Sequence, residues 1–176
     1  RMCGIVGLFL KDKALEPQLG SMLTDMLITM TDRGPDSAGI AIYGAPQAGH
    51  AKLTIQSDTA ARDFDGLAER LSSELGAPVT LTRKDTHAVL DFPADKAADT
   101  RAALERLVPG VRVMSAGESI EIYKEVGLPK DVAARFEISA MSGTHGIGHT
   151  RMATESAVTT MGAHPFNTGA DQCLVH

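Results

Sequence analysis

The stretch from residue 51 to residue 124 alternates strand-like and helix-like patterns, and this alternation restricts the chain to a mixed α and β fold. Apolar side chains recur at helical spacing in 63–75 and again in 95–108. Gly76 follows the first of these helices, at the position where many helices end. Strands are predicted at 51–57, 79–83, 87–92 and 111–115, with a further strand at 119–124.

The order of these elements is β-α-β-β-α-β, which is the order of a ferredoxin-like unit. We therefore predict that 51–124 is an inserted small α+β subdomain, and that 1–50 and 125–176 together form the core of the domain. The core has its own patterns: a strand at 3–10, a helix stripe from Leu15 to Met30, a strand at 38–43, a short helix at 129–137 and a strand from Gln172 onward. The predicted fold class is α+β.

Composition excludes several classes of protein. A length of 176 residues suits one domain, or a domain with one inserted subdomain. A net charge of −5 and the absence of Trp disfavour nucleic-acid binding. The longest apolar run, Cys3 to Leu10, has only eight residues, whereas a bilayer span needs roughly 20. With two cysteines and no secretion signal, we expect a cytoplasmic protein. We also expect no association with a membrane, no cofactor and no bound metal.

Cys3 is the sharpest candidate for a nucleophile. Because translation does not start at Arg1, we take Met2 as the encoded start, and removal of Met2 would make Cys3 the first residue. Its α-amino group, with a reference pKa of about 7.7–8.0, would then serve its own thiol as general base through a water. Gly4 supports this role by letting the backbone approach a substrate closely. The alternative interpretation of Cys3 is a small apolar core residue.

Two further segments combine glycines with polar residues. The segment 33–39 is dense in turn formers, which favours a helix-to-strand loop, with Arg33 as a solvated cation or as a residue facing the active site. The segment 142–151 is rich in Gly and His and ends at Arg151. The Arg151 guanidinium can form a bidentate fork with a substrate carboxylate, and Thr154 can add a hydroxyl donor. A surface salt bridge is the alternative for Arg151.

The same region suggests two rival sites that we disfavour. His145, His149 and His164 are potential zinc ligands, but no Cys pair or Glu joins them at ligand spacing. The glycines between residues 143 and 148 suggest a phosphate loop, but the downstream Lys-Ser/Thr and the Rossmann helix that such loops require are absent.

Three segments together resemble the glutaminase domain of class II glutamine amidotransferases, the N-terminal-nucleophile family. The resemblance covers about 3–46 and 139–176, and leaves the insert outside the common core. No single motif is decisive, but three in order form a specific pattern. The first two matching segments are Met2 to Gly7 and Arg33 to Gly39, and the third is Gly148 to Thr154 together with Ala163 to Phe166, which follows it.

The resemblance implies roles for individual residues. Cys3 matches the nucleophile of the family. Arg151 matches the arginine that holds the glutamine α-carboxylate, and Thr154 matches a hydroxyl beside it. Arg33 matches an arginine near the nucleophile, in a supporting role. His164 matches a recurring histidine whose role stays open.

Family membership implies a four-layer αββα sandwich, and hydrolysis of L-glutamine to glutamate and ammonia that passes to a partner synthase subunit. The sequence is most similar to stand-alone amidotransferase subunits of glutamate-synthase-like complexes, and the subunit of N-methylglutamate synthase is the narrower match. A hetero-oligomer is expected. Two alternatives stay open: a non-catalytic binding or assembly module that retains the fold, and a ligand-sensing role for the insert.

The sequence also departs from the family. Met152 stands where many members carry an aromatic residue, and Glu155 where some carry His. After a strand like Cys173 to His176, the family continues with an Asn-Gly pair that supplies the oxyanion hole, and later with an acidic residue that binds the substrate amino group. We therefore expect these 176 residues to be an amino-terminal portion of a longer protein, inactive without the remainder.

Overall fold

A four-stranded antiparallel sheet, called sheet 1, forms the framework of the core. The computed structural model describes residues 3–154 and 157–176. The strands of sheet 1 are β1 (Gly4–Phe9), β2 (Ser37–Tyr43), β7 (Ile120–Val126) and β8 (His145–Arg151). Their spatial order is β1-β8-β2-β7, so β8 lies between the two strands predicted at 3–10 and 38–43. Both predicted strands are confirmed to within one residue at each end.

Two helices cover one face of sheet 1. They are α1 (Leu19–Thr29) and α5 (Pro129–Arg135), with 3-10 turns at Lys13–Gln18, Thr31–Arg33 and Ile138–Ala140. The predicted helix stripe is therefore α-helical only from Leu19 onward, because the turn before it contains Pro17, which lacks a backbone N–H. The buried core between helices and sheet comprises Val6, Leu19, Leu23, Leu27, Ala38, Ile40, Ile42, Tyr123, Val132, Ala133, Phe136 and Ile138.

Two glycines of β8 let helix α1 pack closely on sheet 1. A Cβ added at Gly146 would lie 2.5 Å from Leu23 Cδ1, and one added at Gly148 would lie 2.9 Å from Leu27 Cδ1. A Cβ at Gly146 would also lie 2.9 Å from the Ala41 carbonyl oxygen, so Gly is required there. At Gly148 the nearest atoms are the ends of the Leu27 and Val6 side chains, and a Cβ would force these side chains to shift. Packing against α1 therefore accounts for the glycines at 146 and 148.

A second antiparallel sheet forms the insert. Its strands are β3 (His50–Gln56), β4 (Thr80–Lys84), β5 (His87–Pro93) and β6 (Arg112–Gly117), in the order β4-β5-β3-β6. Helices α2 (Ala60–Asp63), α3 (Leu67–Leu75) and α4 (Ala97–Leu107) connect them, with a 3-10 turn at Ala94–Lys96 before α4. The predicted β-α-β-β-α-β order is observed. The insert has its own buried core, which includes Leu53, Ile55, Phe64, Leu67, Leu71, Leu90, Phe92 and Leu104.

The helix predicted at 63–75 is broken near its start. Helix α2 ends at Asp63 and α3 begins at Leu67, because Gly66 has a φ of 60° in the left-handed region. The buried Asp63 carboxylate accepts hydrogen bonds from the hydroxyls of Ser57 and Thr59 at 2.6 and 2.8 Å. These bonds stabilise the first short turn and separate it from α3.

The strand predicted at 119–124 lies in sheet 1. It is β7, and it pairs with β2 over its whole length, from Ser37–Val126 to Tyr43–Ile120. Our interpretation of the sequence had assigned this strand to the insert, because its pattern follows directly on that of β6. We therefore propose a revised division, with the insert at about 50–117 and the core on either side.

A hairpin lies beside the second face of sheet 1. It consists of β9 (Phe166–Gly169) and β10 (Gln172–Leu174), and only the second strand was predicted. Cys173 packs against the buried cluster of Ala41, Met114, Ile120 and Ile122. On β1, Ile5 and Phe9 are 47% and 66% exposed. In the part of the chain that the structure describes, no helix has the length and apolarity to cross a membrane.

Asp171, in the turn of this hairpin, joins the core to the insert. Its carboxylate accepts hydrogen bonds from the backbone N–H groups of Glu118, Ser119 and Ile120 at 2.7–3.0 Å. Its backbone carbonyl accepts a hydrogen bond from the Tyr43 hydroxyl at 3.2 Å. Partial burial raises the pKa of Asp171, but the three backbone donors and nearby Lys52 outweigh it, so that the pKa lies below its ordinary value. One carboxylate thus organises the β6–β7 connection.

We predict that Asp171→Ala lowers the free energy of unfolding by about 2 kcal/mol or more, because three backbone donors lose a charged acceptor. Asp25→Ala, at an exposed position of α1, is the matched control and should change stability far less. Urea unfolding at several pH values checks this. Since the folded pKa is depressed, the stabilisation is complete above the unfolded pKa of about 3.9 and is lost as pH falls below it. If Asp171→Ala and wild type differed in free energy of unfolding by the same amount at low pH, the Asp171 carboxylate would not be the stabilising group.

Candidate active site

Cys3 and Arg151 each lie directly beyond the last pair of the β1–β8 ladder, Gly4–Thr150, at one end of sheet 1. Gly4 of β1 pairs with Thr150 of β8, so that in this antiparallel register the residue before Gly4 faces the residue after Thr150. Residues directly opposite in an antiparallel pair share a face of the sheet. Cys3 is half-buried there and forms no disulfide. The pairing therefore places the predicted nucleophile and the predicted carboxylate-binding arginine on the same side of the strands.

Gly4 lets β1 pack closely against β8 and against the residue that follows α1. A Cβ at this position would lie 2.6 Å from Thr150 Oγ1 and 2.8 Å from Met30 Cβ. The Thr150 hydroxyl in turn donates to the Met30 carbonyl at 3.2 Å. Gly4 is therefore required by the close contact of β1 with β8 and with the end of α1, whichever role it has toward a substrate.

The turn at 33–39 packs directly on β8. Gly34 lies so close that a Cβ would be 2.3 Å from the carbonyl carbon of Thr150. The Asp36 N–H donates to the Arg151 carbonyl at 3.1 Å, and the Asp36 carboxylate accepts from the Ala153 N–H at 2.7 Å. Asp36 therefore fixes the backbone on both sides of Met152. The sequence alone favours an ordinary turn former at Asp36, as in the rest of 33–39, because these partners are more than a hundred residues away in the chain.

The other predicted residues of this region are more exposed. Arg33 ends a 3-10 turn next to Gly34, and its side chain faces solvent. Thr154 is exposed, whereas Met152 is half-buried. The structure thus brings the turn of Arg33 to the same strand as Arg151, and the exposed Arg33 side chain forms no hydrogen bond or ion pair with residues 3–154 or 157–176. Met2 and Glu155 lie outside the described residues.

The Arg151 guanidinium lies beside the segment that precedes His164. Its Nη1 donates to the Ala157 carbonyl at 3.5 Å. A Cβ at Gly162 would lie 3.1 Å from the same nitrogen. A glycine at 162 therefore leaves the guanidinium room to lie along this segment.

His164 is buried in a cluster of aromatic rings. It is 4% exposed, and its ring stacks on that of His149 at 4.2 Å between centroids. Phe166 and His176 lie at 4.5 and 4.3 Å. Nδ1 of His164 accepts a hydrogen bond from the His176 N–H at 3.3 Å. Burial, with the nearby charges of His149, His176, Lys124 and Arg151, lowers the pKa of His164 to about 4, so the imidazole is neutral at physiological pH.

The histidines near sheet 1 contact neighbouring rings, hydroxyls and backbone groups. His145 stacks on Tyr43 at 4.1 Å and contacts Thr144 Oγ1 through Nδ1 at 2.8 Å. His149 Nε2 lies 2.8 Å from the His176 carbonyl. Over residues 3–154 and 157–176, no group of three or more His, Cys, Asp or Glu side chains could hold a metal ion.

Lys124 is the residue at this site that sequence reasoning missed. It is 3% exposed, and its ammonium donates to the carbonyls of Ala163 and Pro165 at 2.8 and 3.0 Å. Burial lowers its pKa to about 8. The available signal was weak, because a lysine between Tyr123 and Glu125 has the pattern of a solvent-exposed strand position.

Known proteins similar to this chain support a glutamine amidotransferase domain. The chain is 66% identical over 175 residues to a glutamine amidotransferase-like protein, GlxB, of Rhizobium meliloti, across 99% of this chain and 58% of that protein. It is 33% identical over 177 residues to a Methanothermobacter thermautotrophicus protein with a provisional glutamine amidotransferase name, across 94% of this chain and 56% of that protein. The chain thus spans little more than half the length of these relatives.

A shorter similarity extends to aminotransferases. The chain is 48% identical over 71 residues to the isomerizing glutamine–fructose-6-phosphate aminotransferase of Methanosarcina acetivorans. That stretch is 38% of this chain and 11% of that enzyme. No protein-family model matches the chain.

The histidine cluster predicts a measurable titration. In an NMR titration of the Cε1–H groups, we expect the His164 resonance to have its midpoint near pH 4. Because this pKa is lower in the folded than in the unfolded protein, its contribution to the free energy of unfolding is complete above about pH 6.5 and is lost as pH falls toward the folded value. His164→Asn assigns the resonance and removes this part of the pH dependence. A midpoint at or above 6.5 would contradict the buried, neutral imidazole.

Proposed function

We propose that this chain, which is similar to glutamine amidotransferase-like proteins over nearly its whole length, forms the glutaminase part of a class II glutamine amidotransferase. Its substrate is L-glutamine, and its products are glutamate and ammonia. The observation that supports the proposal most is the Gly4–Thr150 pairing, from which we infer that Cys3 faces Arg151 at one end of sheet 1. A nucleophile beside a cation that can bind a carboxylate suits an α-amino acid substrate.

Cys3 supplies the reactive thiol. After removal of the residues before it, its α-amino group takes the thiol proton through a water, and Sγ attacks the side-chain carbonyl carbon of glutamine. Collapse of the tetrahedral intermediate breaks the carbon–nitrogen bond, and the ammonium group returns the proton to the leaving nitrogen, which departs as ammonia. A water then attacks the thioester, releasing glutamate and restoring the thiol.

Arg151 holds the substrate in place. Its planar guanidinium can donate two parallel hydrogen bonds to the glutamine α-carboxylate. Asp36 supports this role, since it binds the backbone of residues 151 and 153. In this scheme Thr154 contributes a hydroxyl at the rim, and Arg33 and His164 act in support.

The proposed fold is the αββα sandwich of N-terminal-nucleophile hydrolases. Helices α1 and α5 cover one face of sheet 1. The other face carries the β9–β10 hairpin on one side and the exposed Ile5 and Phe9 on the other. A second sheet packed on this face would bury those two side chains.

We further propose that the ammonia is consumed by a partner synthase subunit, in a glutamate-synthase-like or N-methylglutamate synthase complex within the cytoplasm. A non-catalytic assembly module with the same fold is the competing function. The two differ in whether Cys3 performs chemistry.

Cys3→Ala distinguishes these functions in the reconstituted full-length complex. We expect synthase activity with glutamine to vanish and activity with concentrated ammonium salt at mildly alkaline pH to survive, because free ammonia enters the partner site directly. Cys173→Ala, which removes the other thiol, is the matched control and should retain both activities. Equal loss of both activities in Cys3→Ala would reject the nucleophile and favour a structural role.

Arg151→Lys tests the binding of the α-carboxylate. A lysine keeps the charge but cannot form the planar fork, so KM for glutamine should rise by an amount equivalent to roughly 1.5–3 kcal/mol. Arg62→Lys, at a side chain that is 78% exposed in the insert, is the control and should leave the kinetics unchanged. Steady-state glutaminase assays of the full-length, processed protein measure both. An unchanged KM in Arg151→Lys would remove this residue from the site.

A further inference from the structure

Lys124 directs all of its observed polar contacts to one short segment. Its ammonium donates to the carbonyls of Ala163 and Pro165, on either side of His164. It also lies 4.4 Å from the centre of the Phe166 ring, as a cation over an aromatic face. A buried ammonium is costly unless its donors are satisfied, and here backbone carbonyls satisfy it. We call residues 162–165 the clamped segment.

The clamped segment lies directly across sheet 1. Lys124 of β7, Gly39 of β2 and His149 of β8 form one cross-strand row. A Cβ at Gly39 would be 1.9 Å from the His164 carbonyl oxygen, so only Gly lets the segment rest on β2. On either side of this glycine, His149 stacks on the His164 ring and Lys124 binds the flanking carbonyls. The row therefore holds the segment from both sides.

The clamped segment also meets the side chain of Arg151. Its first residue, Gly162, is the one whose Cβ would lie 3.1 Å from Arg151 Nη1. Arg151 follows His149 by two positions on β8 and so shares its face of the sheet. Lys124 and Arg151 thus approach the same four residues, one from β7 and the other from β8.

Glu125 attaches the preceding loop to the same strand. Its carboxylate, 8% exposed, accepts a hydrogen bond from the Thr160 hydroxyl. Consecutive residues of β7 therefore fix residue 160 and residues 163–165. The chain that runs beside the Arg151 guanidinium is anchored to β7, at the far edge of sheet 1 from β1.

We propose that Lys124 is a positioning residue for substrate binding: it holds the clamped segment in the place that orients the Arg151 guanidinium toward the substrate carboxylate. This inference rests on the proposed glutaminase function. It assigns Lys124 no contact with the substrate and no part in bond breaking. Loss of Lys124 should therefore weaken glutamine binding and leave the reactivity of the Cys3 thiol intact.

The test compares Lys124→Met and Lys124→Arg with Lys52→Met in the full-length, processed protein. Methionine has nearly the length of lysine but neither the charge nor the donors. Arginine keeps both, so it should rescue part of the effect. Lys52 is the matched control, because its side chain is only 13% exposed and pairs with Glu121 at 2.7 Å, away from the clamped segment. Four quantities are measured for each variant: KM and kcat for glutamine, the rate of Cys3 alkylation by iodoacetamide, and the melting temperature.

For Lys124→Met we expect KM to rise roughly tenfold or more, with an alkylation rate within about twofold of wild type. The KM of Lys124→Arg should lie between those of Lys124→Met and wild type. Lys52→Met should have a lower melting temperature and an unchanged KM. Two outcomes would overturn the proposal: an unchanged KM in Lys124→Met, or parallel losses in KM, alkylation and stability like those of a merely structural lysine.

Hydrogen exchange separates this inference from the proposed function. Backbone amides of the clamped segment should exchange faster in both Lys124 variants than in wild type, and not in Lys52→Met. Should Lys124→Met fail to fold, Lys124→Arg carries the test through KM and exchange. A wild-type protein without glutaminase activity would reject the proposed function and, with it, the role of Lys124 in binding glutamine. Unchanged exchange in a folded, active Lys124 variant would reject the clamp alone.

Discussion

The register of β8 between β1 and β2 determines where every candidate residue lies. Gly146 and Gly148 point toward α1, and a Cβ at either position would displace the Leu23 or Leu27 side chain. A slip of one residue would turn His149 toward the helix and move Arg151 away from Cys3, because side chains alternate between the two faces of a strand. Tight packing of two leucines on two glycines therefore fixes the geometry of a site on the opposite face.

Charged side chains bound to backbone groups then hold the connecting loops on this framework. Asp36 binds the Ala153 N–H, Lys124 binds the carbonyls of Ala163 and Pro165, and Asp171 binds three N–H groups of the β6–β7 connection. Each joins segments far apart in the sequence, and each satisfies polar groups that irregular backbone leaves unpaired. Hydrogen bonds to charged groups are stronger than neutral ones, so a single side chain can fix a loop.

Patterns along the sequence predicted those elements whose formation depends on neighbouring residues in the chain. Alternation and helical spacing located the strands at 3–10 and 38–43 and the element order of the insert. They failed where distant partners decide, as for β7, which pairs with β2 instead of joining the insert. Lys124 was missed for the same reason, because its burial depends on a segment some 40 residues later. The helix at 63–75 was predicted too long for a local reason, because the left-handed Gly66 within it separates α2 from α3.

The sequence located the motifs, but it did not predict which residues their side chains contact. Gly4, next to Cys3, pairs with Thr150, and Gly34 packs on the same residue, so three predicted motifs reach one end of sheet 1, while the role of Cys3 stays a prediction. Arg33 and Thr154, by contrast, are exposed, so the roles proposed for them rest on the resemblance of their motifs to the family. Asp36 lay within a recognised motif, yet its function of fixing residues 151 and 153 became visible only in three dimensions.

The proposed site depends on Cys3 acting as an amino-terminal nucleophile for glutamine. This reactivity can be measured by peptide mass spectrometry of the protein treated with 6-diazo-5-oxo-L-norleucine, an electrophilic glutamine analogue. Cys173 serves as an internal control, since burial raises the pKa of its thiol. We expect one adduct, on a peptide that begins at Cys3, and protection by excess glutamine. An adduct shared equally with Cys173, or a native protein that retains Met2 and forms no adduct, would contradict it.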